Sequence, residues 1–369
     1  MTQKAASVVG RIERAQQLLR DQGLDAVIVS HPANRSYLSG FHTDDHGPDE
    51  SSGVLLVDSS GAVFLTSIVN LPMAEALVAP EVSAADWGRP WTKAVGKRLQ
   101  EAGYRKVGIE EDALTVASLQ GFETGSDGAI TFVHVGSHVD TLRASKDPGE
   151  LATMREAMRI TDEAMETVTA QLKPGMTELH IAALLDQSMR DLGADGPGFG
   201  TIVASGPYAA RPHHEPSSRE IVEGEPIIID MGARVRGYNA DLTRTVWVGE
   251  PTAQLRTIYT TVLAANRAAI AGIRAGMTGG EADALARTVI KDAGYGDRFT
   301  HSLGHGLGIK VHEAPSLREG NTDPLVVGQV VTIEPGIYLP EWGGVRIEDV
   351  VVIESDGARV LTNAPIWQV

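Results

Sequence analysis

One feature limits what this chain can fold into more than any other: it repeats itself. Pro174-Gly175-Met176-Thr177 recurs further on as Ala275-Gly276-Met277-Thr278. Each threonine is placed to cap a helix, and Thr278 has Glu281 three residues on, the spacing of a capping box. Behind each cap, apolar or small residues fall on one helical face at matched positions. These are Ile181, Leu184, Leu185 and Leu192 in the first copy, and Ala282, Leu285, Ala286 and Ala293 in the second. Both helices are expected to end at an Asp-x-Gly, Asp191-Leu192-Gly193 and Asp292-Ala293-Gly294. Each copy then carries a His-x-x-Pro, at His213 to Pro216 and at His312 to Pro315. An apolar strand next runs into an acid and a glycine: Ile227-Ile228-Ile229-Asp230-Met231-Gly232, and Val330-Val331-Thr332-Ile333-Glu334-Pro335-Gly336. A second acid follows in both, Asp241 and Glu348. The pattern reads as two similar helix–helix–strand–hairpin units, near residues 147–250 and 251–355, related by a pseudo-two-fold. Such symmetry turns equivalent hairpins towards each other, so Asp230, Asp241, Glu334 and Glu348 are expected to converge.

Four acids entering one pocket from apolar strands are costly. A buried carboxylate without a partner takes up a proton, and four together repel one another. Two divalent cations between them would remove both penalties, since carboxylates bridge ions about 3.5–4 Å apart. One imidazole is expected to join them, His305 in Ser302-Leu303-Gly304-His305-Gly306-Leu307-Gly308, where the flanking glycines would let the backbone approach the ions. The matching position in the first copy is Ala204, so the symmetry breaks where one ion gains nitrogen. Carboxylates with one imidazole suit Mn²⁺ first, with Co²⁺, Fe²⁺ and Zn²⁺ also compatible. A single acid at a strand end is ordinarily a turn or surface residue; four at matched positions in two copies argue otherwise. A single histidine is ordinarily a hydrogen-bonded structural one, which is the reading for His214. Recurrence of His-x-x-Pro favours a functional role for His213 and His312.

Ahead of the repeat the chain alternates α and β. A helix is expected over Ile12 to Asp21, with strands at Ala26 to Val29, Gly53 to Val57, Ala62 to Thr66, Lys106 to Glu110 and Ile130 to Val135. The polar run His42 to Glu50, with His42 and His46, reads as a solvated loop. Asp147-Pro148-Gly149-Glu150 starts a helix, which sets a boundary near Arg143: an α/β domain over residues 1–143 and the repeat domain over residues 144–369. The 48 acidic against 32 basic residues leave a net charge of -16, a field that repels phosphate backbones, so no nucleic-acid partner is expected. No cysteine is present, which excludes disulfides, a thiolate nucleophile and a Cys-based zinc site, and fits a cytoplasmic protein. The start of the chain has no continuous apolar segment of the signal-peptide kind, and no apolar run approaches the roughly 20 residues a membrane span needs.

These residues resemble a known family, the metal-dependent pita-bread peptidases, in the proline dipeptidase (prolidase) and aminopeptidase P branch. The likeness is carried by Ile229-Asp230-Met231-Gly232, Asn239-Ala240-Asp241-Leu242-Thr243-Arg244-Thr245, Ser302 to Gly308, Val311-His312-Glu313-Ala314-Pro315, Thr332 to Tyr338 and Gly344-Val345-Arg346-Ile347-Glu348-Asp349. It implies an α+β fold, a pseudo-two-fold pita-bread catalytic domain preceded by the family's smaller α/β domain. It implies that Asp230 binds one ion, His305 and Glu334 the other, and that Asp241 and Glu348 bridge both. A hydroxide between the ions would be the nucleophile, with Glu334 moving its proton to the departing proline nitrogen. His213 and His312 would contact the scissile carbonyl, and Arg346 and Tyr338 would steady the ligand acids. The implied activity is Xaa-Pro dipeptidase, and the implied assembly is a homodimer.

Other readings compete. Longer Xaa-Pro-Yaa peptides would make the chain an aminopeptidase P, and an ectoine-hydrolase-like small-amide activity shares the architecture. Creatinase-type relatives lack the metal acids that this chain keeps, and methionine aminopeptidases usually lack such an N-terminal domain. A metal-free binding module would have lost the ligands.

Overall fold

A computed structural model describes residues 8–43, 45, 47 and 49–368; His46 of the polar loop lies outside the described residues. The chain divides between Arg143 and Ala144 into two compact units.

The first unit is built on a six-stranded mixed sheet. Its helices are α1 (Val8–Gln22), α2 (Pro32–Ser39), α3 (Leu71–Leu77), α4 (Trp91–Glu101), α5 (Val116–Gly125) and α6 (His138–Ala144). Its strands are β1 (Ala26–Val29), β2 (Val54–Asp58), β3 (Gly61–Thr66), β4 (Val82–Asp86), β5 (Lys106–Ile109) and β6 (Thr131–His134), in the order β4-β3-β2-β1-β5-β6. Every residue of β1 is buried, as its unbroken apolar run requires of a central strand. The turn between β2 and β3 is closed by Asp58, which accepts from the backbone of Ser60 and Gly61. The polar loop is not solvated at its root. Arg35, fully buried, donates to both carboxylate oxygens of Asp45 at 2.8 and 3.0 Å, and to Thr43 and the Gly53 carbonyl. An arginine thirty-odd ångströms of chain away in sequence supplies that anchor, which loop composition does not reveal. His42 itself is exposed.

The second unit contains the repeat. Its helices are α7 (Pro148–Thr169), α8 (Glu178–Asp191), α9 (Ala253–Gly272) and α10 (Gly279–Asp292). The first half carries β7 (Gly196–Pro197), β8 (Ile202–Ser205), β9 (Ile227–Met231), β10 (Ala233–Val235), β11 (Tyr238–Asn239) and β12 (Leu242–Val246). The second carries β13 (Gly304–Gly306), β14 (Glu313–Leu317), β15 (Val330–Ile333), β16 (Gly336–Leu339), β17 (Gly343–Arg346), β18 (Asp349–Glu354) and β19 (Gly357–Val360). The sheet orders β12-β9-β8 and β14-β13-β15-β18-β19 show the correspondence: β9 answers to β15, β12 to β18 and β8 to β13. The capping box at Asp147 and Glu150 forms, as does the one at Thr278 and Glu281, and Thr177 caps α8.

The two copies repeat in backbone detail as well as in residue type. Gly175 and Gly276 have φ of 87° and 86°, a left-handed conformation that glycine adopts without strain. Gly175 N donates to Ile221 O and Ile221 N to Met176 O; Gly276 N donates to Leu325 O and Leu325 N to Met277 O. One expectation fails: Ala293 is exposed, because it is the C-cap of α10 and lies past the last turn that faces the core.

Strand β9 and its counterpart β15 are apolar except at Asp230 and Thr332, because both their faces are covered. Val330 of β15, with Val350 and Val352 of β18, packs into the core shared with α7 and α8. Val331 and Ile333, with Val351 and Ile353, pack into the core shared with α9 and α10. This is the period-two alternation of a strand between two layers. The halves are stitched along β12: Glu348 N donates to Thr243 O, Arg346 N to Thr245 Oγ1, and Thr245 Oγ1 to Arg346 O. Among the described residues, no helix is long and apolar enough to cross a membrane.

Candidate metal centre and active site

Each acid sits where a strand enters or leaves a hairpin. Asp230 is carried by β9, Asp241 lies between β11 and β12, Glu334 follows β15, and Glu348 lies between β17 and β18. His305 is the middle residue of β13. Gly306 pairs with Val331, so His305 lies beside Thr332, just as Ala204 pairs with Ile228 in the first half. The two positions correspond, and only one of them carries a nitrogen ligand.

The glycines around His305 have a different purpose from the one expected. A Cβ on Gly304 would fall 2.0 Å from the Thr332 carbonyl oxygen, and one on Gly306 would fall 2.1 Å from that of Ala314. They admit the two neighbouring strands, which fixes the His305 backbone between them.

All eight residues expected at the site line one cavity of about 610 Å³: Asp230, Asp241, His305, Glu334, Glu348, His213, His312 and Arg346. Phe199, Ile202 and Val311 form its apolar wall. One ligand atom each from Asp241, His305 and Glu348 lies within 4.8 Å of the others. His305 Nε2 is 3.4 Å from Glu334 Oε1 and 3.7 Å from Asp241 Oδ2. The rings of His305 and His312 are 4.3 Å apart between centroids.

The electrostatics are those of a place built for positive charge. Burial, followed by the charges of Asp230 and Glu334, pushes the Asp241 carboxyl well above the ordinary range. Burial, followed by Asp241, does the same to Glu348. Glu334 is pushed up to about 8 by burial, against the pull of Arg346. Burial lowers His305 to about 4, with a further contribution from His312, so its imidazole is neutral and free to ligate. Arg346 is the one guanidinium lining the cavity, against four carboxylates. Asp230 gives one oxygen to Arg346, while its other oxygen, Oδ1, is buried without a hydrogen-bond partner. Buried polar atoms are ordinarily paired. An orphan carboxylate oxygen in a cavity lined by three more carboxylates and a neutral imidazole fits a pair of divalent cations.

Further groups hold the acids in place. Thr243 Oγ1 donates to Glu348 Oε2 at 2.8 Å and accepts from Arg346 Nε at 3.0 Å. Arg346 Nη1 donates to the Tyr338 hydroxyl at 3.0 Å. That hydroxyl also lies 2.9 Å from Nε2 of His301, which lines the cavity and was not foreseen. Burial lowers His301 to about 4. His301 lies four residues before His305, a separation with no meaning along an extended segment, so only its partner Tyr338 identifies it.

The whole chain has known relatives. Residues 152–355 match the model of metallopeptidase family M24, and residues 11–145 match that of the creatinase/prolidase N-terminal domain. The chain is similar to an Xaa-Pro dipeptidase of Pyrococcus furiosus, 35% identical over 96% of this chain and 97% of that protein. Among solved structures it resembles an Xaa-Pro dipeptidase from Bacillus anthracis, 36% identical with a TM-score of 0.91 over 98% of this chain and 99% of that one. It also resembles an X-Pro aminopeptidase from Thermotoga maritima, 34% identical with a TM-score of 0.87 over 97% and 99%. The chain belongs to metallopeptidase family M24 and has the pita-bread fold of its prolidase members.

Proposed function

We propose that this M24 metallopeptidase hydrolyses the peptide bond of Xaa-Pro dipeptides. The observation that carries the reading is that four carboxylates and the neutral His305 line one cavity, with ligand-capable atoms of Asp241, His305 and Glu348 within 4.8 Å of one another. Near-complete likeness to proteins named Xaa-Pro dipeptidase supports the choice of substrate.

In this reading Asp230 would serve one cation, His305 and Glu334 the other, and Asp241 and Glu348 would be shared by the two. When bound, divalent cations supply activation of water near neutral pH, and Mn²⁺ is the first choice for these ligands. Glu334, which lines the cavity, accepts the proton of the attacking water. It then returns that proton to the proline nitrogen, which leaves badly as an anion. His213 and His312 donate to the carbonyl oxygen as it gains charge; losing one such donor typically costs about 100-fold or more. Arg346 donates to Asp230 and holds its side chain in place, and Tyr338 orients Arg346. A tertiary amide has no N–H, so a pocket that accepts proline excludes much ordinary competition.

We take the working unit to be a homodimer in the cytoplasm, on the family likeness and the cysteine-free composition. A second reading, an aminopeptidase acting on Xaa-Pro-Yaa, is favoured by the likeness to the Thermotoga protein. The deciding experiment reconstitutes the enzyme with Mn²⁺, Co²⁺, Fe²⁺ or Zn²⁺ and assays Xaa-Pro, Xaa-Pro-Yaa, creatine and ectoine. Turnover of Xaa-Pro dipeptides above all others is the expected result; preference for the tripeptides would install the second reading. Light scattering of the loaded enzyme tests the dimer.

A further inference from the structure

The residue after each of two cavity histidines, His213 and His312, is anchored by a buried charge. His213 is followed by His214, whose Nε2 lies 2.9 Å from Glu178 Oε2; their side chains are 8% and 0% exposed. The same carboxylate accepts from Ser217 N at 3.0 Å and Ser217 Oγ at 2.7 Å. Its other oxygen accepts from Ser205 N at 2.8 Å and Ser205 Oγ at 2.6 Å. Glu178 opens α8, where the helix N-terminus favours negative charge. Burial opposes its ionisation, yet the bonds from Ser205, Ser217 and His214 outweigh burial and hold it below the ordinary range. One carboxylate therefore binds the end of β8 and both flanks of the segment that presents His213.

The second half does the same with reversed polarity. His312 is followed by Glu313, the position equivalent to His214 in the repeated His-x-x-Pro. Glu313 Oε2 lies 3.2 Å from Lys146 Nζ, and these side chains are 3% and 1% exposed. Its Oε1 accepts from Lys310 N at 2.9 Å, closing the turn that contains His312. Lys146 is tied in turn to the approach of β15, its backbone N donating to Gly328 O. A buried charged group adds little net stability compared with apolar packing, so two such anchors beside two cavity histidines call for another account.

We propose that Glu178 and the Lys146–Glu313 pair are positioning residues, each fixing the residue that follows a cavity histidine and thereby aiming His213 and His312 at the substrate carbonyl. The proposal rests on the reading that those two histidines contact that carbonyl. Misplacement by about an ångström costs on the order of 100-fold, and loss of an orienting partner about 10- to 100-fold.

Double-mutant cycles in the metal-loaded, full-length enzyme provide the test. Glu178→Gln and Lys146→Met should each lower kcat about 10-fold or more, with metal content and KM within about twofold of the unaltered enzyme. In a His213→Ala background Glu178→Gln should cost nothing further, while in a His312→Ala background its full effect should persist. Lys146→Met should show the opposite pattern. Full effects in both backgrounds, or an unchanged kcat, overturn the proposal. If Glu178→Gln does not fold, Ser217→Ala removes a single donor to the same carboxylate and enters the same cycle. Histidine-selective ¹⁵N NMR of the variants gives a readout independent of turnover. Glu178→Gln should shift or broaden the His213 imidazole signals and leave those of His312 in place; unmoved His213 signals overturn the proposal. An unaltered enzyme inactive on every Xaa-Pro peptide would instead refute the assigned function, and the NMR result would still decide the positioning.

Discussion

Arg346 Nη2 lies 2.6 Å from Asp230 Oδ2, and that bond joins the second half of the repeat to the first. The guanidinium is buried, 3% exposed, and binds Thr243 and Tyr338 as well. The other Asp230 oxygen is buried without a hydrogen-bond partner. Breaking a buried charge pair from one side typically costs about 3–5 kcal/mol, because the remaining charge is left uncompensated. Arg346→Met should therefore lower the unfolding free energy of the metal-free protein by about that amount. The metal-loaded protein should lose less, since the cations then face Asp230. Urea unfolding with and without Mn²⁺ measures both; equal losses would mean Asp230 does not face the ions.

Asp241 is 5% exposed and sits with His305 and Glu348 around one point. Asp241→Ala should bring both turnover and bound metal to background, read by peptide assay and by elemental analysis of the same sample. Full metal content with lost turnover would make Asp241 a proton-transfer group and not a ligand.

Cations that bind only the folded state raise its stability by mass action, about 2.7 kcal/mol when free metal is a hundred times Kd. Chelation should therefore lower Tm and abolish activity together, and the same ion should restore both. A Tm indifferent to chelator and metal would contradict the role given to the four carboxylates.

Gly306 has no room for a side chain, because a Cβ would meet the Ala314 carbonyl at 2.1 Å. Gly306→Ala should cost about 1–3 kcal/mol through overpacking and weaken metal binding by moving His305. Gly357→Ala, where a Cβ meets nothing within 4 Å, is the control and should cost little. Urea midpoints and metal titrations of the two variants make the comparison.

Glu110 concerns the first unit alone. It is 4% exposed and accepts from Ser30 N, His31 N and Asn34 Nδ2. Burial dominates those bonds and pushes its pKa up from 4.5 to about 7. In that window the folded state binds more protons than the unfolded one, so stability falls as pH rises from 4.5 to 7 and is level above. Amide exchange of the β1–α2 segment, corrected for intrinsic rates, should show opening free energies that decline across this window. Glu110→Gln, neutral throughout, should lose the slope.

The candidate ligand set is legible in the chain because its signals are local and repeated. A strand that is apolar at every position announces a buried, two-faced strand, and an acid at its exit is then an acid in the interior. Asp230 and Glu334 carry that signal, Asp241 and Glu348 follow as the second acid of each copy, and the matched Gly-Met-Thr segments tie the two halves together. Convergence followed from symmetry, without any pair of contacting residues being known.

The relationships decided by the tertiary structure join residues far apart in sequence whose meeting depends on strand register. Arg346 with Asp230, Glu348 with Thr243, and His301 with Tyr338 are such pairs. So are Glu178 with His214 and Lys146 with Glu313. A shift of one residue in β9 or β17 would turn the side chains of either strand to the opposite face and dissolve the Arg346–Asp230 bond without altering any motif. Residue types and their spacing thus single out the candidate groups for the chemistry; only the packed register of the strands decides which partners hold them in place.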